Sequence, residues 1–242
     1  MTQSISIVVP VYNEGEAVVP YLDKLIDSVD VAFTVLVVFD TPDDTTVPVL
    51  DRYDNEVVVP TLNAYGRGPA NAIRFGLDAA DGDVVVVTMA DGSDDATQIG
   101  EMAQLVRNGN AIAAASRYMK GGCQVGGPFI KSWLSRIAGV SLYYLARVGT
   151  HDATNSFKAY RTDFVRTVGV DSKAGFEIGI ELVAKARRTR EPVAEIPTTW
   201  YDRDEGESNF DVVGWMPMYL SWYFYAFGRR IKNPSAMARS RK

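Results

Sequence analysis

The sequence predicts an α/β fold with a mostly parallel central sheet flanked by helices, and three features of its first half support this. Short runs rich in valine and isoleucine alternate with helical patterns, which indicates successive βαβ units. The run 84–87 is four consecutive valines and suits a strand buried on both faces. Acidic residues follow such runs directly, at the sheet edge where α/β proteins bind ligands.

The first half contains five predicted strands and three predicted helices, without an internal repeat or a low-complexity linker, which favours a single domain. The turn that follows the second strand, DTPDDTT, is acidic. In chain order we expect a strand over 4–12, a helix over 16–28, strands over 33–40 and 55–62, a helix over 68–80, a strand over 82–91, a helix over 95–109 and a strand over 110–118.

The second half is less regular. The segment 121–127, GGCQVGG, holds four glycines and is expected to be a mobile loop. We expect a helix over 175–190 and a strand over 193–200. Apolar residues also recur at helical spacing over a long preceding segment, at Ile130, Trp133, Leu134, Ile137, Tyr144, Leu145 and Val148.

Composition indicates an ordinary globular protein, with 47% hydrophobic and 23% charged residues in a chain of 242. The only cysteine, Cys123, excludes an intrachain disulfide and fits a reducing compartment. The only histidine, His151, excludes a His-rich metal site. Because the first residues lack the basic region and long apolar run of a signal peptide, we expect a cytoplasmic protein.

Charge is unevenly distributed along the chain. Residues 229–242 carry six Lys or Arg and no acid, so the net charge of −5 divides into +6 there and −11 on residues 1–228. An acidic body gives no support to nucleic-acid binding. A basic end next to the aromatic segment 212–227 points to anionic lipid, and a disordered, solubilising tail is the alternative.

Eight motifs follow one another in an order that resembles the family-2 glycosyltransferases of the GT-A (Rossmann-like) fold. Within that family the sequence is most similar to the polyprenyl-phosphate glycosyltransferases, the dolichol-phosphate mannose synthase type, over roughly residues 5–210. The motifs are VVPVYNE (8–14), DTPDDTT (40–46), YGRGPANAIRFG (65–76), MADGSDD (89–95), SRYMKGG (116–122), DATNSFKAYR (152–161), GFEIGIE (175–181) and EIPTTWYDRDEGESNF (195–210).

The first two motifs imply a nucleotide site. By this resemblance, Pro10 and Tyr12 shape the loop or stack, and Glu14 accepts hydrogen bonds from the base or a sugar hydroxyl. Asp40 would contact the base or the ribose. The alternative for Glu14 is a helix-start acid stabilised by the helix dipole. Phe39 replaces the first of two adjacent acids in the family, which leaves the choice between guanine and uracil open.

The motif MADGSDD implies a site for Mg²⁺ or Mn²⁺. The family usually carries Asp-x-Asp, whose carboxylates hold the ion on the donor diphosphate. Here Met89, a poor ligand for such an ion, replaces the first acid, and Asp91 matches the second. Asp94 and Asp95 are candidates for the missing ligand. The alternative for one of these two is the cap of the helix that follows.

The acceptor side of the resemblance is cationic. Arg117, Lys131 and Ser135 are implied in binding a lipid phosphate. Lys131 and Ser135 lie four residues apart and therefore on one face of the predicted helix, away from its apolar stripe. The family often has Arg at position 131, so a bidentate contact would become a point charge. The alternative for Lys131 is a solvated lysine.

Two further motifs imply catalytic residues. Asp152 faces the reacting sugar with Asn155 nearby, and Arg203 reaches the diphosphate, although a surface ion pair is the alternative for Arg203. Asn209 stands where the family commonly has Lys. His151, a lone loop histidine beside Asp152, is given no role in the mechanism.

We therefore expect an inverting, metal-dependent transfer of a sugar from a nucleotide diphosphate sugar, GDP-mannose or a UDP-sugar, to a polyprenyl (dolichyl or undecaprenyl) phosphate. Because a lipid monophosphate is already anionic near neutral pH, this reaction needs no strong general base. One alternative is a family-2 enzyme that acts on a saccharide or other hydroxyl, with Asp152 or Glu177 as the base. The other is a non-catalytic protein that binds nucleotide sugars.

Residues 1–210 are expected to form the glycosyltransferase domain, and 211–242 an aromatic helix with a basic tail. Crossing a bilayer takes about 20 apolar residues. The segment 212–227 has sixteen uncharged residues with Pro217 inside, so it should not cross. Its Trp and Tyr side chains and the cations after it fit a peripheral contact with the cytoplasmic face of the membrane. A helix packed on the domain is the alternative, and the oligomeric state stays open.

Overall fold

Within the described residues, nine strands form two sheets. The computed structural model describes residues 4–127, 129–201, 212–232 and 234. The strands are β1 (Ile5–Pro10), β2 (Phe33–Phe39), β3 (Val58–Leu62), β4 (Val84–Val87), β5 (Ile112–Ser116), β6 (Cys123–Val125), β7 (Lys158–Arg161), β8 (Val193–Pro197) and β9 (Thr199–Tyr201).

The helices connect and cover these strands. A 3₁₀ turn precedes both α1 and α4, and a π-helical turn over Leu142–Ala146 continues α5. The helices are α1 (Val18–Asp27), α2 (Val47–Leu50), α3 (Pro69–Ala79), α4 (Ile99–Arg107), α5 (Phe129–Ser141), α6 (Thr162–Val168), α7 (Ile178–Thr189) and α8 (Val212–Tyr225).

As far as the chain is described, the larger sheet has seven strands, in the order β3-β2-β1-β4-β7-β5-β8. All neighbouring pairs in it are parallel except those of β7, which runs antiparallel to β4 and β5. The mostly parallel α/β sheet predicted from the sequence is therefore confirmed. Since β1, β2 and β4 are parallel neighbours, the loops that follow them meet at one edge of the sheet.

Both faces of the sheet are covered, as the four-valine run predicts. Val84 and Val86 of β4 pack into one apolar core with α1 and α4. Val85 and Val87 pack into the other core with α3, α6 and α7. All four valines are at most 2% exposed, and each contributes about 1.5–3 kcal/mol through burial of its side chain.

Helix α3 lies unusually close to the sheet. A Cβ atom built on Gly76 would come within 2.4 Å of Val8 Cγ1 and 3.2 Å of Val38 Cγ2. No side chain fits at those distances, so glycine allows α3 to approach β1 and β2. This approach brings the amino end of α3 to the loop that follows β2.

The prediction of a loop over 121–127 is wrong for Cys123–Val125. These residues form β6, which pairs in parallel with β9 to make the two-stranded sheet. Glycines with positive φ, at Gly121 and Gly126, allow the chain to turn at both ends of the short strand. The partner strand lies more than seventy residues away in sequence, so local composition gives no sign of the pairing.

The single strand predicted over 193–200 is two strands. The chain leaves the large sheet at Thr198, whose N–H donates to Ser116 O at 3.1 Å and whose carbonyl accepts from Cys123 N at 2.9 Å. The same residue thus links the end of β5 with the start of β6. This link places the small sheet next to the carboxyl end of β5, where Arg117 follows.

Helix α8 is anchored on α7 through a buried ionic cluster. The ammonium of Lys185 bonds to the carboxylates of Glu181 and of Asp171, the latter at 2.8 Å, and lies 5.4 Å from the centroid of the Trp222 ring. Trp222 Nε1 donates to Ser172 Oγ at 3.1 Å. Within the described ranges no helix, α8 included, has the length and apolar character needed to cross a bilayer.

Candidate active site

The loops after β1 and β2 are tied together by side chains. Asp44 Oδ2 accepts from Asn13 N at 3.0 Å, and Thr46 Oγ1 accepts from Glu14 N at 3.1 Å. Asn13 itself has a left-handed backbone, with φ of 57°. This arrangement leaves the Tyr12 side chain 64% exposed beside the end of β1, where it is able to stack on a ligand.

Asp40 lies in the same region and holds the start of α3. One carboxylate oxygen accepts from Asn63 Nδ2 at 2.8 Å, and the other accepts from Gly68 N at 2.7 Å. The neighbouring Phe39, which replaces an acid of the family motif, is buried in the core. The roles of Pro10, Tyr12, Glu14 and Asp40 in nucleotide binding stay predictions.

The three acids after β4 have different surroundings. Asp95 Oδ1 accepts from Thr97 N at 3.1 Å and from Thr97 Oγ1 at 2.6 Å, so Asp95 is the N-cap of the turn before α4. Asp91 Oδ1 accepts from Ser93 N at 3.1 Å and from Ser93 Oγ at 2.6 Å, which fixes the loop. The capping alternative therefore holds for Asp95.

Asp94 turns inward, towards the end of β4. Its Oδ2 accepts from Thr88 Oγ1 at 3.0 Å and from Met89 N at 3.2 Å. Burial and the nearby charge of Asp91 raise the pKa of Asp94 to about 7. Asp94 is thus the acid that lies beside Asp91, although the described residues contain no group of three His, Cys, Asp or Glu positioned to hold a metal ion.

Arg117 and Asp152 form a buried, bidentate ion pair at the end of β5. Arg117 Nε donates to Asp152 Oδ2 at 2.7 Å, and Nη2 donates to Oδ1 at 3.0 Å. The backbone N–H of Arg117 adds a third bond to Oδ2 at 3.1 Å. Burial opposes ionisation of Asp152, but the charge and hydrogen bonds of Arg117 outweigh it and hold the pKa of Asp152 below its ordinary value.

Ser135 of α5 joins this pair. Arg117 Nη2 donates to Ser135 Oγ at 3.2 Å, and the hydroxyls of Tyr118 and Thr154 lie 3.0 Å and 2.6 Å from the same oxygen. Ser135 was predicted to lie away from the apolar stripe of this helix. In the structure Ser135 contacts Arg117, whereas Trp133 of the stripe is 56% exposed. Lys131 is on α5, but its side chain is outside the described part.

Lys158, a residue of β7, binds the backbone of the loop that carries Asp152. The Lys158 ammonium donates to Ala153 O at 3.3 Å and to Asn155 O. Asn155 Nδ2 donates in turn to Ala115 O at 2.9 Å. Burial lowers the pKa of Lys158 to about 7, against the opposing effect of the Asp152 charge.

The other side of this loop is held by Glu195 of β8. Its Oε2 accepts from His151 N at 2.8 Å and from Thr150 Oγ1 at 3.1 Å, and its Oε1 lies 2.7 Å from His151 Nδ1. The His151 ring also stacks on Tyr143. His151 is therefore engaged in structural contacts, in agreement with its exclusion from the mechanism.

The structure brings together Asp94, Arg117, Ser135 and Asp152, each at the carboxyl edge of the sheet or facing it. Arg203 and Asn209 lie outside the described residues. Glu177, an alternative base, is buried, and its carboxylate accepts from Gly175 N at 2.8 Å and from Ala174 N at 3.2 Å.

Sequence reasoning did not identify Lys158 and Glu195 as parts of the site. No clear signal was available for Lys158, which is the first residue of the short strand KAYR, a strand that also contains Arg161. Nothing in the sequence marked Glu195 as a site residue, because an acid in an edge strand is common.

Residues 6–169 match the family described as Glycosyl transferase family 2. The chain belongs to glycosyl transferase family 2. The match covers well over half of the sequence, so the protein is a glycosyltransferase.

Relatives within the family are named for transfer to polyprenyl phosphates. A polyprenol monophosphomannose synthase of Mycolicibacterium smegmatis is 30% identical over 216 residues, covering 86% of this chain and 81% of the relative. An undecaprenyl-phosphate mannosyltransferase of Micrococcus luteus is 30% identical over 211 residues, covering 83% and 85%. A dolichol-phosphate mannosyltransferase of Pyrococcus furiosus is 28% identical over 214 residues, covering 84% of this chain but 58% of that longer protein.

A solved structure confirms the GT-A fold. Glucosyl-3-phosphoglycerate synthase from Mycobacterium tuberculosis superposes with a TM-score of 0.67 at 16% identity, covering 96% of this chain and 81% of that one. That enzyme was crystallised with Mn²⁺, UDP and phosphoglyceric acid, and in another crystal with Mg²⁺ and UDP.

Proposed function

We propose that this glycosyltransferase transfers a hexose from a nucleotide diphosphate sugar to a polyprenyl phosphate, with inversion at the anomeric carbon. The observation that carries the proposal is the Arg117–Asp152 pair. Both oxygens of Asp152 are bonded to Arg117, and the pKa of Asp152 is held low, so this carboxylate is a poor general base. An acceptor that is already anionic needs no such base.

The same pair favours a phosphate acceptor. Arg117 uses Nε and Nη2 within the described structure, while its Nη1 makes no hydrogen bond to any described residue. A guanidinium held in place by a carboxylate can present its remaining N–H groups to a phosphate. The Ser135 hydroxyl lies beside it, and Lys131 stays a proposed third contact. Arg117 and Ser135 would bind and orient the attacking phosphate oxygen.

On the donor side, Asp91 and Asp94 would hold a divalent cation. Their carboxylate oxygens suit Mg²⁺ or Mn²⁺. The pKa of Asp94 is raised by burial and by the nearby charge of Asp91. When bound, the ion would stabilise the charge that develops on the leaving nucleoside diphosphate. Asp95 is the weaker candidate for a ligand because it caps the turn before α4.

For the donor, GDP-mannose is the first candidate, since three relatives are named for mannose transfer. Pro10, Tyr12, Glu14 and Asp40 would contact the base and ribose. Exposure of Tyr12 beside the end of β1 supports a stacking role for it. Arg203 would contact the diphosphate.

We further propose that the protein works at the cytoplasmic membrane surface, with residues 1–210 as the catalytic domain and 211–242 as a membrane contact. Two contacting helices carry exposed apolar side chains, joined by the Ser141–Tyr223 hydrogen bond of 3.0 Å. We call this the α5–α8 face. Its members are Trp133, Leu134, Ile137, Tyr144, Leu145, Leu220, Phe224 and Phe227.

The aromatic residues of α8 divide between two environments. Tyr219, Trp222, Tyr223 and Tyr225 pack against the core, while Phe224 is 67% exposed. One side of α8 therefore packs on the domain, while its exposed apolar residues are available for the proposed membrane contact. An anchored helix with one exposed apolar face suits an interfacial contact rather than a membrane span.

The proposal is tested by incubating the protein with Mg²⁺ or Mn²⁺, a short polyprenyl phosphate and a panel of GDP- and UDP-sugars. We expect lipid-linked mannose from GDP-mannose, and loss of product when EDTA is added. A saccharide acceptor in a parallel reaction covers the alternative family-2 activity. Product on the saccharide and none on the lipid phosphate would contradict the proposal.

A further inference from the structure

A cavity of about 740 Å³ opens at the amino end of β8. In the parallel β5–β8 pair this is the end of Ile112 and Val193, whereas Arg117 follows the opposite end of β5. The cavity is therefore separate from the candidate active site. Five arginines and one acid, Glu191, lie in its wall; the arginines are Arg147, Arg187, Arg190, Arg229 and Arg230.

Most of this positive charge has no partner in the described structure. Glu191 Oε2 bonds to Arg161 Nη2 at 3.1 Å, so the only acid of the wall is already paired with an arginine outside it. Arg187 bonds to backbone carbonyls, those of Ala146 and Gly228. The other four arginines of the wall form no ion pair with any residue of the described ranges.

The dipoles of the helices that end at the cavity are too weak to neutralise the positive charge of its wall. Three helical segments end at the cavity: the π-helical turn after α5, α7 and α8. Each carboxyl end carries about half a negative charge, together about −1.5. The wall carries five arginines and one glutamate, a net of +4. The surplus positive charge is focused in a concave site, which favours an anionic ligand.

The backbone also places arginines here at a conformational cost. In the described part of the chain three non-glycine residues have a positive φ, and two of them are Arg147, with φ of 58°, and Arg190, with φ of 62°. Both residues end a helical segment at the position where glycine is usual. Arginine at these two positions brings a cation to the cavity where glycine would relieve the strain.

The surroundings of the cavity indicate what carries the anion. Phe227 lines the cavity and continues the exposed Leu220 and Phe224 stripe of α8. Tyr144 and Leu145, three and two residues before Arg147, are also exposed. The arginine cavity therefore adjoins the α5–α8 face. An apolar rim adds nothing to the binding of a soluble phosphate. A phospholipid, in contrast, carries its phosphate next to hydrocarbon, which the rim can contact.

We propose that this arginine cavity binds the headgroup phosphate of an anionic membrane lipid while the α5–α8 face contacts the bilayer. The inference rests on the proposed membrane contact and not on the identity of the donor or acceptor. Ser135 and Arg147 lie twelve residues apart along α5 and its continuation, roughly 18 Å. A lipid held in the cavity would thus fix the orientation of the protein on the membrane, with the acceptor site beside the middle of α5.

The test compares the full chain with two double variants of equal net charge. Arg147→Gln/Arg190→Gln removes two charges from the cavity, and neither residue belongs to the basic tail. Lys24→Gln/Arg52→Gln removes two exposed charges near the opposite end of the sheet. Partitioning onto vesicles of phosphatidylcholine, with and without phosphatidylglycerol, is measured by sedimentation, and thermal unfolding confirms that each variant is folded.

We expect the cavity variant to lose about 25-fold in partitioning onto the anionic vesicles, about fivefold for each arginine, and the control variant to lose little. Equal losses in both variants would overturn the proposal in favour of diffuse charge attraction. Displacement of the protein from vesicles by inorganic phosphate at low concentration would assign the cavity to a soluble anion instead. Turnover of a short polyprenyl phosphate in detergent should be unchanged in the cavity variant. If the unmodified protein shows no turnover in this assay, the proposed function fails, whereas the proposal for the cavity is judged by the vesicle measurements alone.

Discussion

At the residue scale, the chemistry of the site depends on what Asp152 contacts. A carboxylate that accepts three hydrogen bonds from one arginine has a low proton affinity and no easy access to a substrate proton. Its role is then to hold Arg117 in position. In the proposed reaction, Arg117 would stabilise the charge of the phosphate nucleophile and Ser135 would help to position it.

The first prediction concerns Arg117→Lys. Lysine keeps the charge but loses the planar, bidentate geometry, so the KM for the lipid phosphate should rise about tenfold or more while donor affinity changes little. The matched control is Arg107→Lys, since Arg107 makes a similar bidentate pair with Asp83, at 2.9 Å for both bonds, away from the site. Steady-state kinetics with each substrate varied in turn distinguish the two. An equal loss of donor affinity in Arg117→Lys would place Arg117 at the donor.

The acids after β4 give the second prediction. Asp91→Asn should lower turnover at least a hundredfold and remove its dependence on Mg²⁺ or Mn²⁺, because the charge is lost while the shape is kept. Asp94→Asn should also make turnover less dependent on Mg²⁺ or Mn²⁺. Asp95→Asn should leave turnover near normal, since asparagine also serves as an N-cap. Metal titrations of activity measure all three, and a normal response in Asp91→Asn would remove Asp91 from the metal site.

Lys158 gives a prediction on pH and stability. Its pKa is about 7 in the folded protein and 10.5 when exposed. Between these values the unfolded chain binds the proton and the folded chain does not, so stability rises as the pH rises from about 7 to 10. In Lys158→Met this rise should be absent. Urea unfolding at a series of pH values measures the difference, and parallel curves for the two proteins would contradict the assignment.

At the scale of elements, the close approach of α3 to the sheet is the feature most open to test. Gly76→Ala places a methyl group against Val8 and should destabilise the fold by about 1–3 kcal/mol. Gly100→Ala, in α4, meets no atom within 4 Å and should instead stabilise by about 0.5–1 kcal/mol. Urea unfolding measures both, and the explanation fails if the two substitutions have effects of the same sign.

The elements also differ in how far the sequence predicts them. The strands β1, β2 and β4 are dense runs of β-branched residues buried on both faces, so their pattern is strong and was predicted. Strand β6 has glycines on both sides and depends on pairing with β9, a contact that no local pattern encodes. The four-residue strand β7, which runs antiparallel between β4 and β5, was likewise not predicted from the sequence.

In the site, residues within recognisable motifs were predicted, and residues that act through tertiary contacts were not. Asp91, Arg117 and Asp152 belong to motifs that resemble the family, and Ser135 was named from the same resemblance and its place on the predicted helix. The choice between Asp94 and Asp95 could not be made in advance, because it depends on which side chain turns towards Thr88 and which one caps the next turn.

At the scale of the whole molecule, α5 and its continuation lie between the two regions proposed to bind anions. The candidate acceptor site, with Arg117 and Ser135, lies beside the middle of α5, and the arginine cavity lies beyond its end. The exposed α5–α8 face extends between them. A protein built in this way can meet a lipid acceptor at the membrane without a spanning helix in its described part.

The central claim is that the acceptor is a phosphate and supplies its own negative charge. It is tested most directly by comparing a short polyprenyl phosphate with the polyprenol of the same chain length, at saturating GDP-mannose and Mg²⁺ or Mn²⁺, with labelled lipid as the readout. The two acceptors share the hydrocarbon chain, so any difference between them reports on the phosphate. We expect turnover of the phosphate and none above background for the alcohol. Comparable turnover of the alcohol would require a general base and would contradict the account.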